Sequence, residues 1–522
     1  MKGWVSVLIL AAIVWAAYHS ILSLGLVGHD TYPIVATSRF DNPDGLAGPV
    51  SRKLMAGLYD SDFYRPLLNL LVGTEFALWG LAPLGYQIVN LILLLGCALA
   101  LFRLAERLNG PDARLAPVLS ALIFLLFPLQ YEVVPVLSRR PETMSCLFAA
   151  LALSATLSPR SLARGRPALL PGILALAAAF SKETALLLFP LAFLAVLLQS
   201  PRPGTRKRLA HAALGTIPYL TAAALALGVR FLVIGGLGGH AEEGLGNLGR
   251  AAAMARRLIF PQKIMEASPN AALLVAALGA SFVVTGILWL RRRNRLDPSV
   301  LFQGGKRLRA ALFGLAWTVL MLLLHAWSGK TSAWYYLFPA AGFALLSGSM
   351  LEAFLQNARP FGRLPLRMVS SLAALLLLIL LGWQASYSPL FHAYPEWKEA
   401  DAMRSQALEK LEAEIDRAPE GSVLGPYELP VLVARWKVPG FQGPMLYGAS
   451  ILRTYSVQGW AKLRFPDRNV VVVSFFPGMK TTRGIPDQTQ VFLEEHLILP
   501  KFTSQPQPPS RSGPSRPPGD GG

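Results

Sequence analysis

Apolar stretches long enough to cross about 30 Å of hydrocarbon recur through the first three quarters of this chain. They fall at residues 3–24, 85–105, 115–133, 142–158, 167–181, 184–199, 209–235, 270–290, 309–328, 334–355 and 366–385. In a bilayer every spanning backbone group must be satisfied inside its own segment, which leaves helices as the economical solution. The expected fold class is therefore an all-α polytopic membrane protein of about eleven transmembrane helices, with a small outer α/β domain after them. The spans at 167–181 and 184–199 are separated only by Ser181-Lys182-Glu183, and merged they would be too long for a bilayer without steep tilt.

Of the 522 residues 53% are hydrophobic and only 15% charged, which excludes an ordinary soluble domain. The net charge of +19 is distributed over short connections between spans rather than over a separate basic domain, so nucleic acid is not an expected partner. That distribution orients the chain. With the N-terminus inside, Arg103, Arg107 and Arg114 fall in the first inner loop, and Arg160, Arg164 and Arg166 in the second. Arg202, Arg206, Lys207 and Arg208 follow, then Arg291 to Arg293, Arg295, Lys306, Arg307 and Arg309, and finally Arg359, Arg363 and Arg367. Basic inner loops are the positive-inside pattern, and an odd number of spans sends the chain outside after about residue 386. Met1-Lys2 ahead of an apolar run resembles a signal peptide, but the run is long and lacks a small-residue cleavage site, so a retained anchor is expected. Cys97 and Cys146 both lie in spans and read as buried free thiols.

Three parts result. Residues 1–385 form a transmembrane domain whose first outer loop is 25–84. Residues 386–500 form a small outer α/β domain, with a surface helix at 395–417 and β-rich runs such as Val423-Leu424 and Asn469 to Ser474. Residues 501–522, rich in Pro and Ser, are expected to be a disordered tail.

The chemistry is expected on the outer face. The first outer loop begins GHDTYPIVATSRFDNPDG, which places Asp30 a few residues after the first span, with Asp41, Asp44, Asp60 and Asp62 sharing the loop. An ionisable group held at a bilayer boundary reads as functional by default; position alone also fits a helix N-cap or a lipid-headgroup contact. Glu132, Arg139, Arg140 and Glu142 occupy the next outer loop, and Lys182-Glu183 the one after. Carboxylates beside cations suit a reaction that removes a proton from one group and stabilises an anionic leaving group on another. Solvated salt bridges would give the same composition.

The run FYRPLLNLLVGTEFALWGLAPLGYQIVNLILLLGCALALF, then FPLQYEVVPVLSRRPETMSCLFAALAL and FSKETALLLFPL, resembles the GT-C superfamily of polyprenyl-phosphate-sugar glycosyltransferases. The similarity is to the protein O-mannosyltransferase-like branch that includes the transmembrane tetratricopeptide-repeat mannosyltransferases, although no repeat follows residue 386. It extends from about residue 25 to 200 and is fainter through RLIFPQKI and WYYLFPAAGF.

The resemblance implies Asp30 as the catalytic base of an inverting transfer from a polyprenyl-phosphate-linked sugar to an acceptor hydroxyl. It implies Tyr64, Arg65, Glu132, Arg140, Glu142, Lys182 and Glu183 as donor-phosphate or cavity residues. The acceptor, whether protein, lipid or glycan, is left open, and membrane lipids are the other partners. The family's two adjacent acids are here His29-Asp30, so no cofactor is called for, and a divalent metal is allowed but not required. Where relatives carry an Arg and an acid before the Tyr and Pro of a late span, this chain has Ala333-Trp334-Tyr335 before Pro339. That departure shifts the donor-phosphate contacts toward Arg230, Arg256, Arg257 or Lys330. The expected location is a bacterial inner or plasma membrane, N-terminus cytoplasmic, active site and C-terminus extracytoplasmic. A transporter or flippase, or a non-catalytic relative with a degenerate site, are the competing readings; no second half of the chain repeats the first as many transporters do.

Overall fold

The computed structural model describes residues 3–59, 61–164, 168–236, 248–259, 305–328, 332–357, 364–386, 388–391, 393–417 and 452–468, with short strands at 423–424, 432–433, 449–450, 471–472 and 497–498. Helix α1 (Gly3–Tyr18) continues as a 3-10 turn, His19–Ser23. The segment that follows builds α2 (Thr31–Ser38), α3 (Gly48–Ser51) and α4 (Pro66–Trp79). Next come α5 (Pro83–Asn109), α6 (Ala116–Leu125), α7 (Gln130–Val133), α8 (Arg140–Thr156), α9 (Pro159–Arg164), α10 (Leu169–Ser181), α11 (Leu188–Gln199) and α12 (Thr205–Ile234). After α13 (Leu248–Ile259) follow α14 (Lys306–Trp327), α15 (Leu337–Asn357), α16 (Leu364–Ser386), α17 (Pro395–Arg417) and α18 (Thr454–Arg464).

Among the described residues five helices are long and apolar enough to cross a membrane, in the segments Trp4–Ser23, Pro83–Asn109, Thr205–Ile234, Lys306–Trp327 and Trp334–Leu355. The span expected at 270–290 lies outside the described residues. Two segments differ from expectation. The stretch 115–133 is helical only to Leu125 before a short α7, because Pro128 disfavours helical backbone at Phe127 and lacks a donor of its own. Ten residues at 1.5 Å rise reach only about half way across the hydrocarbon. Residues 66–79, read above as outer loop, are an apolar helix that Pro66 starts and Gly80 stops. The join at 181–183 is a true break: Lys182 is extended, and α10 and α11 are separate helices.

Two layers carry the core. In one, α8 packs between α5 and α10; in the other, α15 packs between α14 and α6. Small residues let α14 and α15 approach closely: a Cβ on Gly314 would lie 2.5 Å from the Leu346 nitrogen, and one on Gly342 2.7 Å from that of Thr318. Away from α2–α4, the basic connections stitch helix ends together. Glu352 of α15 accepts the backbone N–H groups of Arg114 and Ala116 at 3.2 and 2.8 Å, and Arg309 donates to the Leu198 carbonyl at 2.7 Å. Cys97 and Cys146 are free and buried.

Beyond α16, helix α17 lies against the turns that hold the first-loop motif. Trp397 Nε1 donates to the Tyr131 carbonyl at 3.1 Å, Tyr131 hydrogen-bonds Glu396, and Tyr131 stacks on Tyr394 with centroids 4.7 Å apart. The described strands are two residues each: 423–424 pairs in parallel with 471–472 and with 497–498, and 432–433 pairs antiparallel with 449–450. The tail at 501–522 lies outside the described residues.

Candidate active site

The turn Gly25–Asp30 is pinned from two sides before α2 begins. The Gly25 N–H donates to Asp401 of α17 at 2.9 Å, and Gln87 of α5 donates to the Gly25 carbonyl at 3.2 Å. Gly28 has φ +93°, a backbone that side chains rarely adopt, and a Cβ there would lie 2.5 Å from Val136. Glycine at this position lets the chain turn under the Val136 side chain and present His29 and Asp30 at the start of α2.

Asp30 occupies the N-cap position of α2, but its carboxylate caps no backbone N–H. Oδ1 instead accepts a hydrogen bond from the Tyr455 hydroxyl at 2.8 Å, and lies 3.4 Å from His29 Nε2. The side chain is 31% exposed. Burial lowers the pKa of His29, the Asp30 carboxylate opposes this, and Arg139 and Arg453 reinforce it, so the ring is neutral at neutral pH. Burial and the neighbouring Asp30 push the Tyr455 phenol up, which keeps it a donor. Helix α18, which carries Tyr455, also sends Ser456 Oγ to the His29 carbonyl, and Gly459 brings its backbone against Pro33 of α2.

A second cluster gathers cations. Arg65, at the N-cap of α4, donates to Glu183 at 3.1 and 3.4 Å, and its guanidinium lies 4.4 Å from the Phe63 ring centroid. Arg230 of α12 donates to the Asp62 carbonyl at 3.1 Å. Lys182 is buried, pairs with Glu142 and sits 4.6 Å from the Tyr335 ring centroid, and the His325 ring centroid lies 5.2 Å from that of Tyr335. Tyr335 lies within electrostatic reach of Arg65, Glu183 and Asp30 together. Thr184 Oγ1, Glu142 Oε2, His325 Nε2 and Arg65 Nε are buried without a hydrogen-bond partner, an uncommon condition for interior polar groups.

The other sequence candidates lie elsewhere. Arg140 is buried and its guanidinium is fully engaged, with Glu75, with Asn90 at 2.6 Å and with the Tyr86 carbonyl at 2.7 Å, so it joins α4, α5 and α8 rather than pairing with Glu142. Its neighbour Arg139 pairs with Glu132, lies 4.3 Å from the Trp334 ring centroid, and acts electrostatically on His29. Tyr64 is buried and donates to the Val50 carbonyl at 2.7 Å, which pins the loop. Arg256 is exposed on α13; Lys330 and the side chain of Arg257 lie outside the described residues. Asp41 and Asp44 form ion pairs with Arg39 and Arg52.

Sequence reasoning passed over Tyr455 and His325. Tyr455 carries no local signal, since its partner is 425 residues away. His325 did carry one, as a lone ionisable residue in an apolar span. Among the described residues no group of three or more His, Cys, Asp or Glu side chains is arranged to hold a metal.

No family model and no curated protein sequence matches the chain. Among solved structures, ArnT from Cupriavidus metallidurans in the apo state is similar at 15% identity and a TM-score of 0.45, over 81% of this chain and 82% of that one. The same protein bound to undecaprenyl phosphate is similar at 16% identity and a TM-score of 0.40, over 81% and 83%.

Proposed function

We propose that this chain is a membrane glycosyltransferase that moves a sugar from a polyprenyl-phosphate donor to an acceptor hydroxyl at the outer face. The observation that carries the reading is the convergence on Tyr335: Lys182 sits against its ring, and the partly exposed carboxylate of Asp30 and the Arg65–Glu183 pair both act on it electrostatically. The sequence resemblance to polyprenyl-phosphate-sugar transferases, strongest between residues 25 and 200, points the same way.

In this reading Asp30 accepts the proton of the acceptor hydroxyl as its oxygen attacks the anomeric carbon. The bond from that carbon to the phosphate oxygen breaks, and the lipid phosphate leaves toward Lys182, Arg65 and Arg230. One displacement inverts the anomeric centre. Cations preplaced where the leaving group gains charge, in surroundings that exclude water, stabilise the transition state more than the same charges in solvent. Arg65 is suited to a phosphate because a guanidinium offers several donors in a plane. The orientation proposed is the one given by loop charge, with Asp30 and α17 outside.

Release of polyprenyl phosphate tests the reading without knowledge of the acceptor. Purified protein in lipid nanodiscs, given a panel of polyprenyl-phosphate hexoses, is expected to release free polyprenyl phosphate from at least one of them. No release from any donor, with or without added glycan, lipid and protein acceptors, would overturn it.

A further inference from the structure

Asp30 is approached by a group from far along the chain. Tyr455, in the first turn of α18, donates its phenolic hydrogen to Asp30 Oδ1 at 2.8 Å, and the Tyr59 ring lies 5.0 Å from the Tyr455 ring. The turn that carries Tyr455 is fixed independently of that bond. Ser456 Oγ accepts the Arg453 N–H at 2.9 Å and donates to the His29 carbonyl, and it is fully buried. Three residues further on, Gly459 seats the helix against the Pro33 and Tyr32 backbone. Two separate anchors therefore hold one phenol against one carboxylate oxygen.

We propose that Tyr455 is a positioning residue for Asp30, and that α18 is a required wall of the active site rather than part of an appended domain. The inference rests on Asp30 being the base. A carboxylate that must take a proton at one oxygen needs its plane fixed, and a single donor on Oδ1 fixes it while Oδ2 keeps its lone pairs for the acceptor. The N-terminus of α2 cannot do this alone, since no α2 backbone N–H bonds the Asp30 side chain. Tyr455 suits the task because burial keeps its own proton in place. Misplacement of a reacting group by about 1 Å can lower turnover on the order of a hundredfold.

The test compares wild type with Tyr455→Phe, Tyr59→Phe and Asp30→Asn in full-length protein in nanodiscs. Turnover, donor KM and melting temperature are read on each variant. Tyr455→Phe is expected to lower turnover in release of polyprenyl phosphate at least tenfold, with donor KM and melting temperature near those of wild type. Tyr59→Phe, which keeps the ring beside Tyr455, is expected to leave turnover near that of wild type. Wild-type turnover in Tyr455→Phe would overturn the inference even where Asp30→Asn is inactive. Full release by Asp30→Asn would instead remove the base assignment itself, and the inference with it. A loss of turnover in Tyr455→Phe matched by a raised donor KM and a lower melting temperature would assign the tyrosine to structure alone and also overturn the inference.

Discussion

Gly459→Ala is the smallest change that separates α18 from the Asp30 motif. An ideal Cβ at this position lies 2.6 Å from the Pro33 nitrogen, 2.9 Å from the Pro33 Cα and 2.9 Å from the Tyr32 carbonyl carbon. All three are backbone atoms of α2 or its first turn, so no side chain can swing aside to make room. Ordinary carbon contacts begin near 3.5 Å, so the helices must separate by about 1 Å. Transmitted along α18, that displacement stretches the 2.8 Å bond from Tyr455 to Asp30 to about 3.6 Å or more, beyond a hydrogen bond. The stability change is the sum of two opposed effects. Overpacking costs about 1–3 kcal/mol, while replacing a helical glycine by alanine returns about 1 kcal/mol. The net loss is therefore small, about 0–2 kcal/mol, whereas the loss of turnover is expected to be tenfold or greater. Thermal melting and release of polyprenyl phosphate, measured on one preparation, check both numbers. Wild-type turnover in Gly459→Ala would show that the contact between α18 and α2 does not control the site.

Arg140→Gln and Lys182→Gln are expected to behave oppositely: the first leaves Glu75 buried and uncompensated and lowers stability by about 3–5 kcal/mol, the second weakens binding of a polyprenyl phosphate several-fold or more, and melting curves with and without that lipid distinguish them. Replacing Glu75 and Arg140 together, as Gln and Gln, should recover part of the stability in a double-mutant cycle. His29 gives a pH signature. Its folded pKa lies below the usual 6.5, so the unfolded state binds the proton more readily, and the stability it contributes is complete above about pH 6.5 and is lost as pH falls through the folded value. Wild type should therefore lose melting temperature between pH 7 and pH 5 more steeply than His29→Gln; parallel curves would rule this out.

The helices were legible because leucine- and alanine-rich runs of bilayer length leave few alternatives, and the break at Lys182 was visible as a charged pair between two such runs. The α4 helix was not, because Arg65 at its start and Glu75 within it made the segment look like loop. The structure accommodates Glu75 by pairing it with Arg140 inside the bundle. That same pairing explains why the two adjacent arginines could not be told apart. Consecutive residues entering a helix point about 100° apart, so Arg140 turns into the α4–α5–α8 packing while Arg139 turns toward Trp334 and His29. The position of Asp30 was legible, since the first apolar run ends a few residues before it and α2 starts just after it. Tyr455 was not legible, since nothing in Arg453-Thr454-Tyr455-Ser456 distinguishes a residue that reaches a carboxylate from one on any polar helix start.

The central claim is that Asp30 takes the acceptor proton, and the direct measurement is transfer by Asp30→Asn beside Asp44→Asn. Asparagine keeps the size and much of the hydrogen bonding of Asp30 but cannot accept the proton, so turnover is expected to fall about a hundredfold to ten-thousandfold. Asp44, paired with Arg52 in the same loop, is expected to tolerate the change with near-normal turnover. Near-normal transfer by Asp30→Asn from a donor that wild type uses would contradict the account.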